Sequence, residues 1–377
     1  MSFVCRGCAM QAQPISSANV PVRTAARHFS SSSRMGVLPR HSVPVFPESS
    51  SQELNTMLST LRNDHLMPAF LSADQQRLIY RRKFQKRLEN VPTTAEIRGE
   101  EFDLRPLDRN AMTVQRKHLI KSSIDTLIEA EDWAQVAPML QGLAALGKHS
   151  SAAHMEKLIR NVAAAGGFGV VVQALRTAEW KKISVRTKHV RRAAVRGMRQ
   201  TAEHGGWSKE SVDRAVRHAE EVLLSFEDAR HVGKLSAKVD PLIDPLLMAA
   251  WLELYAVRAY KYNDGKDEDG KVRVYFDRLV RRFDPARNEY ASLESKPDLA
   301  INNEFMRLLP MWQGVSLAAK VLDGPALSQA GQLRQYAKSC GDILAKNVEQ
   351  LRNGEVKPGS YADLAIKEYE LAAENIK

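Results

Sequence analysis

Cysteine is scarce: the 377 residues hold three, Cys5, Cys8 and Cys340. Three thiols cannot staple a chain of this size, so a disulfide-framed fold is excluded. Aromatic residues make up 7%, and 20 glycines and 16 prolines are slightly fewer than average usage gives. Strand-and-turn architectures need more of all three, so sandwiches and barrels are disfavoured. Long apolar runs are missing as well. The longest, Leu246 to Trp251 extended by Leu252 and Leu254, is interrupted by Asp244, Glu253 and Arg258. That is well short of the roughly 20 residues needed to span a bilayer, so no membrane span is expected. Acid is absent from the N-terminus, the first being Glu48.

What is present is 44% apolar residues, many of them Ala and Leu, with 26% charged residues and a net charge of +11. At about 150 residues per domain the chain is long enough for two cores. An all-α fold is expected: αα-hairpin repeats forming a short α-solenoid, followed by a C-terminal helical domain.

Before Glu48 the chain carries Arg6, Arg23, Arg27, Arg34 and Arg40, with serines at 16, 17 and 30–33. Arg-rich, Ser-rich and acid-poor is the composition of a mitochondrial transit peptide, expected over residues 1–36. Arg27-His28-Phe29-Ser30 has the look of a processing site. Without that segment the chain keeps 51 basic residues against 44 acidic ones, a net charge of +7, and Cys340 as its one thiol. Cys340 follows Tyr336 and Ala337 on a helical pattern and reads as a small core residue. The Cys5-Arg6-Gly7-Cys8 pair has no partner ligands and reads as chance.

Residues 37–115 read as an extended arm, with one short helix over Gln52–Arg62, a basic helix starting at Asp74, and a linker over 91–113. From His118 apolar residues recur at helical spacing. Successive helices end at Glu131-Asp132-Trp133, Gly166-Gly167-Phe168 and Gly205-Gly206-Trp207. The corner aromatics lie 35 and 39 residues apart, and each opens a second helix. A helix–corner–helix unit at a fixed period of that size marks a helical repeat, expected over residues 116–235. Residues 240–377 are expected to form the C-terminal helical domain. Pro241 and Pro245 precede its first, apolar helix, and further helices are predicted over 272–283, 303–322, 326–351 and 361–376. In the last, Ala362, Ile366, Tyr369, Ala373 and Ile376 form a narrow seam suited to packing on one neighbour.

These repeats, with their Gly-Gly-aromatic corners, resemble the pentatricopeptide and tetratricopeptide repeat class. More loosely, they resemble the helical-repeat proteins of fungal mitochondrial gene expression and the mitoribosome. The resemblance covers His118 to Asp228 and only about three units, too few to read RNA one base per repeat.

Several catalytic signatures fail on context. Gly142 to Lys148 spells GxxxxGK, but on a helical run and with His149 where a P-loop needs a hydroxyl. Gly167-Phe168-Gly169 lacks the third glycine of a dinucleotide fingerprint, Val172 standing in its place. Asp264, Asp267, Glu268 and Asp269 do not reach a calcium loop's spacing and read as a solvated turn. No nucleophile, base and orienting group assemble, so no enzyme activity and no cofactor or metal is expected.

Positive charge remains, in two blocks. Arg77, Arg81, Arg82, Lys83, Lys86 and Arg87 are six of the twelve residues 77–88, with no acid among them. Arg176, Lys181, Lys182, Arg186, Lys188, Arg191, Arg192, Arg196 and Arg199 face only Glu179 within 176–199. Charge this localised makes a footprint for polyanion. Arg192, Arg196 and Arg199, spaced four and three apart, are expected to line one phosphate-facing ridge. Aromatics are sparse in these runs, Tyr80, Phe84 and Trp180 alone, which favours backbone contact with structured RNA over single-strand stacking. The expected function is a structural, RNA-contacting component or associate of the mitochondrial ribosome, in the matrix, with rRNA and mitochondrial proteins as partners. A repeat factor for mitochondrial mRNA and a respiratory-complex assembly factor are the alternatives.

Overall fold

The computed structural model describes residues 42–146, 148–177, 188–227, 244–283, 298–322 and 330–377. Among them are fourteen α-helices and one two-stranded hairpin. The N-terminal elements are α1 (Gln52–Thr60), α2 (Ala73–Tyr80), α3 (Gln85–Asn90), β1 (Thr94–Ile97) and β2 (Glu100–Asp103). Then come α4 (Arg109–Glu129), α5 (Val136–Ala145), α6 (Lys148–Ala164), α7 (Phe168–Thr177), α8 (Lys188–His204) and α9 (Lys209–Glu227). The C-terminal helices are α10 (Pro245–Tyr262), α11 (Lys271–Arg282), α12 (Asp298–Val321), α13 (Gly331–Arg352) and α14 (Tyr361–Ile376).

The three helix ends at the corners share one backbone motif. Glu131, Gly166 and Gly206 all have positive φ, at +49°, +85° and +61°. Each donates its N–H three residues back, to Ile128, Ala163 and Glu203. The following residue donates five back: Asp132 to Leu127, Gly167 to Val162 and Trp207 to Ala202. This is the Schellman closure, which satisfies the last helical carbonyls and reverses the chain. Each corner also packs onto a later glycine or helix. A Cβ on Gly167 would sit 3.0 Å from the Trp133 ring, and one on Gly197 in α8 would meet the Phe168 ring at 2.2 Å.

One continuous apolar cluster runs from Leu54 in α1 to Ala372 in α14, across the boundary expected near residue 235. Its centre is α10, which packs against α8, α9, α11 and α12. Pro245 sits in the first turn of α10, where its missing N–H costs nothing, and the Asp244 side chain accepts the Leu246 N–H. The Trp251 indole donates to the Ala219 carbonyl at 2.9 Å, and Tyr255 stacks on Tyr275. On α14 the fully buried line is Ala365, Ala372 and Asn375. The apolar seam of Ile366, Tyr369 and Ile376 is half-buried beside it. The Tyr369 ring stacks on Trp312 of α12.

Two expectations for the N-terminal region are corrected. The stretch before α2 is docked, not an extended arm. Leu54, Leu58 and Leu61 enter the main core, and Gln135 donates to the Pro47 carbonyl at 2.8 Å. The supposed linker over 91–113 holds the β1–β2 hairpin, turned at Arg98-Gly99 with both residues at positive φ. Ala95 and Phe102 face each other across it and enter a second, smaller core with Val43, Met67, Leu71, Ile79, Leu88 and Leu104.

Candidate nucleic-acid interface

The first basic block lies on the surface of that smaller core. It is not one helix. α2 begins at a capping box, Ser72 with Gln75, two residues before the expected Asp74, and stops at Arg81, whose ψ of 122° is extended. A single 3₁₀ turn over Arg82–Phe84 leads into α3. The reason is in the apolar residues. Ile79 and Leu88 are nine apart, which on one straight helix puts them about 180° apart. Breaking at Arg81 lets both enter the same core, and separates Arg77 from Arg81, which a continuous helix would stack as like charges.

Arg77, Arg81, Arg82, Lys83, Lys86 and Arg87 are all exposed. Arg77 pairs with Asp74 one turn earlier at 2.9 Å, in full solvent. Among the described residues, no ion pair involves Arg81, Arg82, Lys83, Lys86 or Arg87. Lys83 lies over the Phe84 ring. Six cations on about eleven residues of surface leave a concentrated positive field, strongest at low salt.

The second block behaves differently. Lys181, Lys182 and Arg186 lie outside the described residues, as does the side chain of Lys188 at the start of α8. Arg176 reaches Glu221 at 3.5 Å. Arg191 and Arg192 are half-buried. Burial pulls the Arg191 guanidinium below its usual range, with Asp244 opposing. The expected ridge through Arg196 and Arg199 is corrected. Arg199 is 2% exposed, and its Nε lies 3.0 Å from both carboxylate oxygens of Glu253, which is fully buried in α10. It also pairs with Glu203 one turn on, and stands over the Trp207 ring. Arg196 faces Glu368 of α14 at 3.9 Å. Burial raises the carboxyls of Glu253 and Glu368, and Arg199 holds both back. These two arginines therefore tie α8 to α10 and α14 and do not face a phosphate. A buried guanidinium must be paired, and the chain supplies its own carboxylates.

A family model described as Mrp13, mitochondrial ribosomal protein mS27, matches residues 27–371. The chain belongs to that family. A curated relative, small ribosomal subunit protein mS27 of Neurospora crassa, is 22% identical over 257 residues. The match covers 63% of this chain and 65% of that relative.

For a member of the mS27 family, the failed catalytic signatures now have structural explanations. Gly142 lies inside α5, where a Cβ would strike the Leu66 side chain at 2.4 Å. Gly167 and Phe168 form a helix corner. Asp267 accepts the backbone N–H groups of Val272 and Arg273, capping α11, and Asp269 pairs with Arg258. Among the described residues, no cluster of His, Cys, Asp or Glu could hold a metal, and no helix is long and apolar enough to cross a membrane. Cys340 is buried, and burial pushes its thiol up to about 12.

Sequence reasoning missed Glu203, Glu253 and Glu368, along with Arg160 and Arg307, which line a cleft beside Arg192 and Arg196. One signal was visible. Glu253 is the single charge in the apolar run from Leu246 to Val257, and a charge there needs a buried partner.

Proposed function

We propose that this chain is a structural component of the small subunit of the mitochondrial ribosome, working in the matrix, with the basic surface of residues 77–87 laid on phosphates of structured rRNA. The family match over residues 27–371 carries the ribosomal part. The exposed cations at 81–87, with no ion pair among the described residues, carry the RNA part. Lys181, Lys182, Arg186, Lys188, Arg191 and Arg192 are a second set of cations offered to the same RNA, while Arg196 and Arg199 belong to the scaffold. Residues 1–36 direct import. The repeated corner geometry at 131, 166 and 206 supports a short helical-repeat frame of the pentatricopeptide and tetratricopeptide kind. That frame serves as a rigid mount between RNA and neighbouring proteins, with no catalytic step.

Sucrose-gradient sedimentation of matrix extract, with and without RNase or EDTA, tests this reading. Comigration with the small subunit at moderate salt is expected. Migration in small RNase-sensitive particles would point to a transcript-bound factor instead. RNase-indifferent migration would point to a protein-assembly role.

A further inference from the structure

A cleft of about 530 Å³ lies where the end of α2, the turn into α3 and the start of α4 meet. That is within the roughly 300–1,000 Å³ of small-ligand sites. Arg81 and Arg82 line it, both exposed and in no ion pair among the described residues. Arg77, also in the lining, pairs with Asp74. The rest of the lining is of a different kind. Three neutral amides, Gln76, Gln85 and Asn110, reach it from three helices, beside the ring of Tyr80 and one carboxylate, Asp108. Gln76 gives one N–H to the Leu71 carbonyl, and the Gln85 and Asn110 amides carry no hydrogen bond among the described residues. Asp108 accepts the backbone N–H of Asn110 as the N-cap of α4.

This mixture selects among anionic ligands. Asp108 repels a phosphate or an acidic side chain set against it, so the group there must be neutral and able to donate. An acidic side chain has only acceptors to offer. A nucleobase edge has amino and imino N–H groups for Asp108, with further donors and acceptors for the three amides. Its face suits the Tyr80 ring. The phosphates then lie outward on Arg81 and Arg82. Cations also lead away from the cleft. α4 is free of acid from Arg109 to Ile124, and Asn110, Val114, Lys117 and Lys121, spaced four, three and four, form one exposed face. Neither lysine is in an ion pair among the described residues. With Lys86 and Arg87 on α3, this is what a strand needs and a free nucleotide does not. We propose that the cleft holds one unpaired, extruded nucleotide of an RNA strand, its base among Gln76, Gln85, Asn110 and Asp108 and its phosphates on Arg81 and Arg82. This rests on residues 77–87 being an RNA surface, and adds a point at which that surface reads a base.

Fluorescence anisotropy on the full chain tests this. The probes are fluorescein-labelled RNA hairpins, one fully paired and the others carrying a single bulged nucleotide, made with each of the four bases. At least one bulged hairpin should bind about tenfold more tightly than the paired one. Gln85→Ala with Asn110→Ala should remove that preference and leave the paired hairpin's affinity unchanged. Arg81→Glu with Arg82→Glu should weaken both kinds of hairpin about tenfold or more. A thermal melt of each variant confirms that it folds. A preference for the bulge that survives the loss of both amides overturns the proposal. So does displacement of the bulged hairpin by a glutamate-rich peptide, or by a nucleoside monophosphate at micromolar concentration. Equal binding of all hairpins, still weakened by the two arginine changes, overturns the proposal and leaves the RNA surface standing. Absence of any hairpin binding removes both.

Discussion

Replacing Arg199 by Met should be among the most destabilising single changes in the described core. The guanidinium is 2% exposed and bonded to both oxygens of Glu253, itself fully buried. Removing one partner of such a pair leaves an uncompensated buried charge, at a cost of about 3–5 kcal/mol. Loss of the contact with the Trp207 ring adds about 0.5–1 kcal/mol. At about 2–4 °C per kcal/mol for chains of some 150–250 residues, and less for longer ones, the melting temperature should fall by about 10 °C. Circular dichroism melts of the full chain measure it. The pH dependence gives a second signature. Without Arg199, the Glu253 carboxyl has a folded pKa raised above its unfolded value, so the protonated state favours folding. Its contribution is present at low pH and lost as pH rises through the folded value. The deficit of the variant against the native chain should therefore be largest near pH 7 and shrink as pH falls toward about 5. Arg199→Met with Glu253→Met should cost about 1–3 kcal/mol less than the sum of the single changes. A loss below about 1 kcal/mol, or a deficit independent of pH, would refute the assignment of these residues to a buried pair.

Gly197→Ala drives a methyl into the Phe168 ring and should cost about 1–3 kcal/mol in urea unfolding, with Phe168→Leu restoring part of it. His218, in contact with Phe168 and Thr201, has its pKa lowered by burial, with Glu221 opposing. The unfolded chain binds that proton more tightly, so stability should drop as pH falls below about 6.5, and His218→Gln should flatten that slope while His65 keeps its share. In a chain carrying Cys5→Ser and Cys8→Ser, Cys340 should resist iodoacetamide until the protein unfolds, as burial and the raised thiol pKa both require. Rapid alkylation of the folded chain would contradict its place in the core.

Helix positions were legible because they follow from local rules. Apolar spacing of 3.6 and the Gly-aromatic stops placed α5 to α9 and α10 to α14 within about five residues, whereas α4 begins at Arg109, nine residues before the His118 at which the pattern becomes visible. The Cys340 environment followed from its helical neighbours. The break at Arg81 was not legible, because it is set by where Ile79 and Leu88 must go in a core assembled from distant segments. The β1–β2 hairpin was missed because its strands are four residues each and half of those eight residues are charged, with Ala95 and Phe102 buried and Ile97 half-buried on the inward side. Spacing alone could not tell the two basic blocks apart. Arg199 and Arg81 are the same kind of residue in the same kind of run. What separates them is Glu253, 54 residues further on, and no local pattern links the two.

The central claim is that the cations of residues 81–87 meet rRNA phosphate. Binding of the full chain to small-subunit rRNA, measured against salt, tests it most directly. Each phosphate contact contributes about 0.7–0.9 to the slope of log affinity on log salt. Arg81→Glu, Arg82→Glu, Lys86→Glu and Arg87→Glu together should reduce that slope by about 3 while leaving the melting temperature unchanged, since all four side chains are exposed. An unaltered slope in a folded variant would show that this surface does not touch RNA.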